Sequence, residues 1–196
     1  MVIERIVVGL LATNCYIVSS HKKAFIVDPG GDAALIKEYI EQNKLSVEFV
    51  INTHNHIDHI MADSELGFPV YIHRLDAPAL QDAKKNHSRF LLGAFHPCAP
   101  AKLLNDNDSI RFDDLDIKVL HTPGHTPGGI CLQIGNSVFT GDTLFKDGIG
   151  RTDLPGGSES DLLSSITSKL LCFDDSVKIF PGHGEESTIG KERGYF

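Results

Sequence analysis

Thr53-His54-Asn55-His56-Ile57-Asp58-His59 sets three imidazoles and a carboxylate within a few residues of one another, directly after the apolar run Val47 to Ile51. In an extended loop, side chains at i, i+2 and i+4 project to one side, so His54, His56 and Asp58 converge. Asp58 is expected to cap a helix that begins near His59, turning the His59 ring back toward the same cavity. Imidazoles and a carboxylate so grouped suit one or two divalent ions. The alternative is a solvated histidine-rich loop, and the buried strand that leads into it argues against that.

Three more loops share this grammar, an apolar strand followed by a tight turn that bears a ligand type. Ile117 to Leu120 leads into His121-Thr122-Pro123-Gly124-His125-Thr126-Pro127-Gly128-Gly129, Val138 to Thr140 into Gly141-Asp142, and Val177 to Phe180 into Pro181-Gly182-His183-Gly184. Glycine lets backbone approach a crowded site and proline fixes the entry direction. Each turn alone is weak evidence. Together they supply His54, His56 and His125 for one ion and Asp58, His59 and His183 for a second. Asp142 remains, with one carboxylate oxygen for each metal.

Around these loops, strands are expected at Ile3 to Val8, Asn14 to Ser19, Ala24 to Asp28, Pro69 to Ile72, Ser109 to Phe112, Leu115 to Leu120, Ile130 to Ile134 and Ser137 to Thr140. Asp28-Pro29-Gly30-Gly31 reads as a turn, and Asp32 as the cap of a helix with Leu35, Ile36, Tyr39 and Ile40 on one face. Helical stretches are expected from Arg74 to about Asn86 and from Glu159 to Cys172. The alternation predicts an α/β sandwich with helices covering packed sheets, in one domain spanning 1–196. A net charge of −8 speaks against nucleic acid or an anionic membrane as partner. The N-terminus carries no secretory signal pattern, and Cys15, Cys98, Cys131 and Cys172 form no C-x-x-C pair. Reduced thiols and a cytoplasmic location follow as expectations.

The sequence resembles the metallo-β-lactamase fold superfamily, from Asn14-Cys15-Tyr16 and Asp28-Pro29-Gly30 through T-H-x-H-x-D-H to Pro181-Gly182-His183-Gly184. Gly141-Asp142-Thr143-Leu144-Phe145 and Gly148-Ile149-Gly150-Arg151-Thr152-Asp153 resemble its compact glyoxalase II-like (hydroxyacylglutathione hydrolase-like) branch. The resemblance implies a four-layer αβ/βα sandwich and the metal roles given above. A C-terminal helical domain like the one with which glyoxalase II enzymes contact glutathione is not expected after Pro181-Gly182-His183-Gly184, so glutathione specificity is not expected to carry over. The expected function is a binuclear metal-dependent hydrolase of a small, anionic thioester such as an acylglutathione. Two divalent ions, zinc first and iron or manganese as alternatives, would share a bridging hydroxide. Asp142 bridges, and Asp58 also orients the nucleophile. Two rivals are a persulfide dioxygenase with one iron on His54, His125 and Asp142, and a non-catalytic metal-binding module.

Local cations must meet an anionic substrate. Arg151 leads, with Asp153 as its alternative ion-pair partner. Lys146 flanks Asp142, and Lys84, Lys85 and Arg89 adjoin the irregular segment 87–107. Phe90 and Phe95 are candidates for an apolar wall. His121 is expected to brace its own loop, Cys131 to sit in the core, and His21 and His73 to lie on the surface. His87 and His96 are divided between pocket and surface.

Overall fold

The computed structural model describes residues 1–86 and 96–196. β1 (Val2–Val8), β2 (Thr13–Ser20) and β3 (Lys23–Val27) form an antiparallel meander. Helix α1 (Ala33–Asn43) carries the chain back, so that β4 (Ser46–Ile51) pairs parallel with β3. The short helices α2 (Ile57–Ile60) and α3 (Asp63–Leu66) lead to β5 (Val70–His73), and β6 (Lys102–Leu104) completes a sheet in order β1-β2-β3-β4-β5-β6.

A second meander runs through β7 (Ser109–Phe112), β8 (Leu115–His121), β9 (Ile130–Ile134) and β10 (Ser137–Gly141). A small hairpin of β11 (Leu144–Phe145) and β12 (Gly148–Ile149) follows, then α4 (Glu159–Ser165), β13 (Lys178–Pro181), β14 (Ser187–Thr188) and α5 (Ile189–Glu192). β13 returns parallel to β10, giving the order β14-β13-β10-β9-β8-β7. Among the described residues, no helix is long and apolar enough to cross a membrane.

Strand alternation sorts the core into layers, because successive side chains point to opposite faces. Tyr16, Val18, Phe25, Val27 and Phe49 of the first sheet meet Phe112, Ile117, Leu132, Phe139 and Phe180 of the second. Their neighbours Cys15, Ile17, Ala24 and Ile26 face the other way and pack on α1 and α2 through Ile36, Ile40, Ile57 and Ile60. Cys131 and Val138 likewise turn outward onto Leu162, Ile166 and Leu170. Helix, sheet, sheet and helix stack in that order, the four-layer αβ/βα sandwich.

Several local expectations need correction. Asp32 is in the left-handed region (φ 47) and makes no side-chain cap on α1. Its Oδ2 instead accepts from the Gly9 N–H at 2.8 Å. On α1 the buried stripe is Ala33, Ile36 and Ile40, while Leu35 faces water. Asp58 is not the cap of α2 but lies in its first turn, and the Ile57 N–H is taken by the Asn86 carbonyl at 3.0 Å. The stretch after Arg74 holds only a 3-10 helix at Ala77–Gln81, since the polar run that follows offers no apolar face to bury. After α4 the chain loosens into a π-helical turn at Ile166–Leu170. β6, β11, β12, β14 and α5, each two to four residues long, are too short for a periodic signal.

The site-forming loops all leave the C-terminal ends of strands. β8, β10 and β13 run in one direction, and the pairing of Gly141 with Pro181 sets Asp142 beside Gly182-His183. The first sheet is fastened to this edge from the other side. Asn14 Nδ2 donates to the carbonyls of Pro181 (2.9 Å) and Gly184 (3.0 Å), and the Tyr16 hydroxyl donates to Pro181 at 2.7 Å. Gly30 permits the tightest approach: a Cβ there would fall 1.6 Å from the Asp58 carbonyl oxygen. Gly30→Ala must push the ligand loop away and is expected to lower stability by more than about 3 kcal/mol, as overpacking of a rigid contact does. At Gly148 a Cβ meets nothing within 4 Å. Gly148→Ala should stay within about 0.5 kcal/mol of the parent in urea unfolding.

Candidate metal centre

His54 and His56 leave the end of β4 and His125 follows β8, and their ring nitrogens lie within 4.8 Å of one another. All three rings are buried. His125 Nδ1 donates to the Arg151 carbonyl at 2.7 Å, and His54 Nδ1 lies 3.1 Å from Thr53 Oγ1. Those contacts direct Nε2 of both rings inward, where neither has a hydrogen-bond partner among the described residues. Burial, with the neighbouring imidazoles, holds His54 well below its usual range, and burial lowers His125 too. Both therefore present lone pairs rather than protons.

A second group adjoins the first. Asp58 Oδ2 is 3.3 Å from His183 Nε2 and 3.6 Å from His59 Nε2, and those two nitrogens are 3.2 Å apart. Asp142 stands between the groups, with Oδ1 3.4 Å from His59 Nε2 and Oδ2 3.5 Å from His125 Nε2 and 3.7 Å from His183 Nε2. Burial works against a charged His59, yet Asp142, Asp28 and Asp58 outweigh it and push the ring up to about 10. Three carboxylates thus demand positive charge at this point. Among the described residues, lone-pair nitrogens and Asp142 Oδ1, a carboxylate oxygen with no hydrogen bond, converge without any thiolate. This donor set fits two divalent ions of the zinc, iron or manganese kind.

Outer partners fix the rings. Asp28 Oδ2 accepts from His59 Nδ1 at 3.0 Å and from Thr53 Oγ1 at 2.7 Å, and Oδ1 accepts from the Thr53 N–H at 2.7 Å. The Leu11 carbonyl accepts from His183 Nδ1 at 3.1 Å. Asp76 ties two ligand loops together, accepting from the Asn55 N–H (3.1 Å), Thr126 Oγ1 (2.7 Å) and the Gly128 N–H (2.7 Å). Neither aspartate was given a site role from sequence. Asp28 obeys the same strand-then-turn grammar as the other loops and was legible by it. Asp76 carries no local signal.

The remaining predicted residues are placed as follows. Arg151 forks onto Asp153 through two contacts of 2.7 Å, and Lys146 pairs with Glu185. Arg89, Phe90, Phe95 and His87 lie outside the described residues. His96 and His21 are exposed, the latter against Asp113 at 2.6 Å. His73 is not on the surface but buried, stacked on His121 with ring centroids 4.1 Å apart. His121 Nε2 meets the Pro127 carbonyl at 2.9 Å, bracing its own loop. Cys131 is buried, with its thiol pushed up to about 11 by burial, as a core residue should be.

Asp28→Asn would turn an amide N–H₂ toward His59 Nδ1 or leave it unpaired, so the ring would lose the partner that fixes its tautomer. Zinc affinity should fall about 10- to 100-fold, read by competition with a chromophoric chelator, while the circular dichroism spectrum is retained.

Relatives point the same way as the geometry. The profile of the Metallo-beta-lactamase superfamily matches residues 8–183. The hydroxyacylglutathione hydrolase GloC of Haemophilus influenzae is 37% identical, over 98% of this chain and 95% of that one. The probable metallo-hydrolase YqgX of Bacillus subtilis is 36% identical, over 97% and 93%. The structure of TTHA1623 in a di-iron-bound form superposes with a TM-score of 0.87 at 31% identity, over 97% of this chain and 96% of that one. With its two stacked sheets, the histidine and aspartate loops at one edge, and a profile match across nearly its whole length, this chain belongs to the metallo-beta-lactamase superfamily.

Proposed function

We propose that the chain is a binuclear metal-dependent hydrolase that cleaves a small anionic thioester such as an acylglutathione. The observation that carries this reading is a complete second group, Asp58, His59 and His183, set against the first with Asp142 between them. His54, His56 and His125 would hold one ion, Asp58, His59 and His183 the other, and Asp142 both. When bound, the two ions supply an acidified water as nucleophile and a Lewis-acid contact for the scissile carbonyl.

The chain's own residues complete the chemistry. Although burial alone would raise Asp58, His59 and His183 hold it well below the usual carboxylate range. It therefore stays an acceptor and takes a hydrogen bond from the attacking water, orienting it toward the carbonyl. Asp28 and the carbonyls of Arg151 and Leu11 keep the imidazoles from swinging as charge shifts during the reaction. A thiolate is a good leaving group near neutral pH, so no dedicated general acid is needed.

Similarity to a hydroxyacylglutathione hydrolase supports the thioester, and the di-iron form of TTHA1623 supports a two-ion centre. Zinc is our first choice, although histidine and carboxylate ligands also accept iron and manganese. A one-iron dioxygenase on His54, His125 and Asp142 would leave the second group without a task.

Zinc-loaded protein is expected to cleave an acylglutathione without oxygen. Asp142→Asn and His183→Ala should each lower kcat about 100-fold or more, the scale seen when an electrostatic contact to the transition state is lost. Oxygen uptake by the iron form with glutathione persulfide, with no thioester cleavage by either form, would refute the proposal.

A further inference from the structure

Two cavities lie beside the loops of the candidate centre, and their chemistry is opposite. One, of about 360 Å³, is lined by Asn55, between His54 and His56 in the chain, by Pro127, two residues after His125, and by Lys84 and Lys85. The other, of about 310 Å³, borders the second group, with Asp58 itself, Gly30, Met61 and the turn Leu10-Leu11 as walls. Both volumes sit at the lower end of the roughly 300–1,000 Å³ that small-molecule sites occupy.

The lysines are held in place by backbone. The Lys84 N–H donates to Asp82 Oδ1 at 2.9 Å and the Lys85 N–H to the Asp82 carbonyl at 2.9 Å. Asn86 then anchors the turn, its Nδ2 donating to Ala79 at 2.9 Å and its carbonyl accepting from Ile57, the first residue of α2. Residues 82–86 are thereby fastened to the helix that bears Asp58 and His59. Among the described residues neither ammonium has an ion pair, whereas Arg151 and Lys146 are both engaged. Asp76, the carboxylate that lines this cavity, has both oxygens turned to Asn55, Thr126 and Gly128. The cavity lining thus has two lysines against one aspartate, a local excess of positive charge on a chain of net −8 that suits a carboxylate.

The opposite cavity repels an anion. Its charged side chains are Asp32 and Asp58, and its rim exposes Leu10 and Leu11, which are 83% and 52% accessible. Two large apolar side chains held in water at a cavity mouth mark a contact surface for something apolar. The turn is fixed at both ends, by Asp32 on the Gly9 N–H and by His183 on the Leu11 carbonyl.

Building on the hydrolase reading, we propose that the substrate lies across the centre in one orientation. Its carboxylate-bearing thiol carrier sits at Lys84 and Lys85 beside the first group, and its apolar acyl chain lies against Leu10 and Leu11 beside the second. The scissile carbonyl then falls between the two cavities, at Asp142 and Asp58. The enzyme should accordingly favour charged carriers and tolerate longer acyl chains.

Non-cleavable thioethers test the orientation by binding alone. S-hexylglutathione and S-methylglutathione are titrated calorimetrically into zinc-loaded protein, into Lys84→Ser/Lys85→Ser and into Leu10→Ser/Leu11→Ser, with the zinc content of each variant measured. Leu10→Ser alone serves if the double leucine variant does not fold. The lysine variant should bind both conjugates about tenfold more weakly and with less salt dependence. The leucine variant should lose about tenfold for the hexyl conjugate and little for the methyl one. Unchanged affinity in the lysine variant, an equal loss for both conjugates in the leucine variant, or no binding of S-hexylglutathione to the parent would overturn the proposal. Because thioethers are not cleaved, these shifts in a protein that hydrolyses no thioester would sink the hydrolase reading and leave the orientation standing.

Discussion

Buried nitrogen without a partner is the constraint around which this molecule is arranged. Among the described residues, His54 Nε2 and His125 Nε2 are buried without a hydrogen-bond partner, and Asp142 Oδ1 shares that condition. Leaving one buried polar atom unsatisfied costs about 1–3 kcal/mol, so several at one point would threaten a domain of ordinary stability. A proton on His59 answers the three carboxylates beside it, but burial opposes charging His54 and His125, so protons leave the inward nitrogens of those two rings unpaired. Divalent ions would satisfy both demands at once. Ions that bind the folded chain and not the unfolded one would then contribute to the fold's stability.

What prevents the site from collapsing is the framework around it. The inter-sheet core, with Phe25 edge-on to Phe112 and Tyr16 edge-on to Phe139, sets the separation of the two sheets. Asn14, Tyr16 and the Thr13–His183 bridge then lock the edge where loops from both sheets meet. Glycine supplies the remaining clearance. At Gly182 a Cβ would sit 2.4 Å from Asp142 Oδ1 and 2.7 Å from His59 Cε1, so no other residue fits between these two side chains undisturbed.

Much of this was legible because the chemistry is written locally. T-H-x-H-x-D-H packs four donors into one loop, and the other ligands each follow an apolar strand, so proximity at a sheet edge could be inferred without knowing which strands pair. The parallel register that sets Asp142 beside His183 is a tertiary fact with no sequence signature. Asp76 escaped for the same reason, its partners lying 21 to 52 residues away along the chain. His73 follows the expected end of its strand and reads as surface, and only the fold shows the ring stacked on His121. Residue type suits Asp58 and Asp32 to helix caps. Asp58 instead lies against His183 and Asp32 accepts from the Gly9 N–H, contacts made with residues distant in sequence.

The central claim is that seven side chains form one centre for two ions. It is tested most directly by counting ions: metal-free protein titrated with zinc in a calorimeter, with elemental analysis of the saturated product. Two zinc ions per chain are expected at saturation. A chain that saturates at one, with no second binding event, would contradict it.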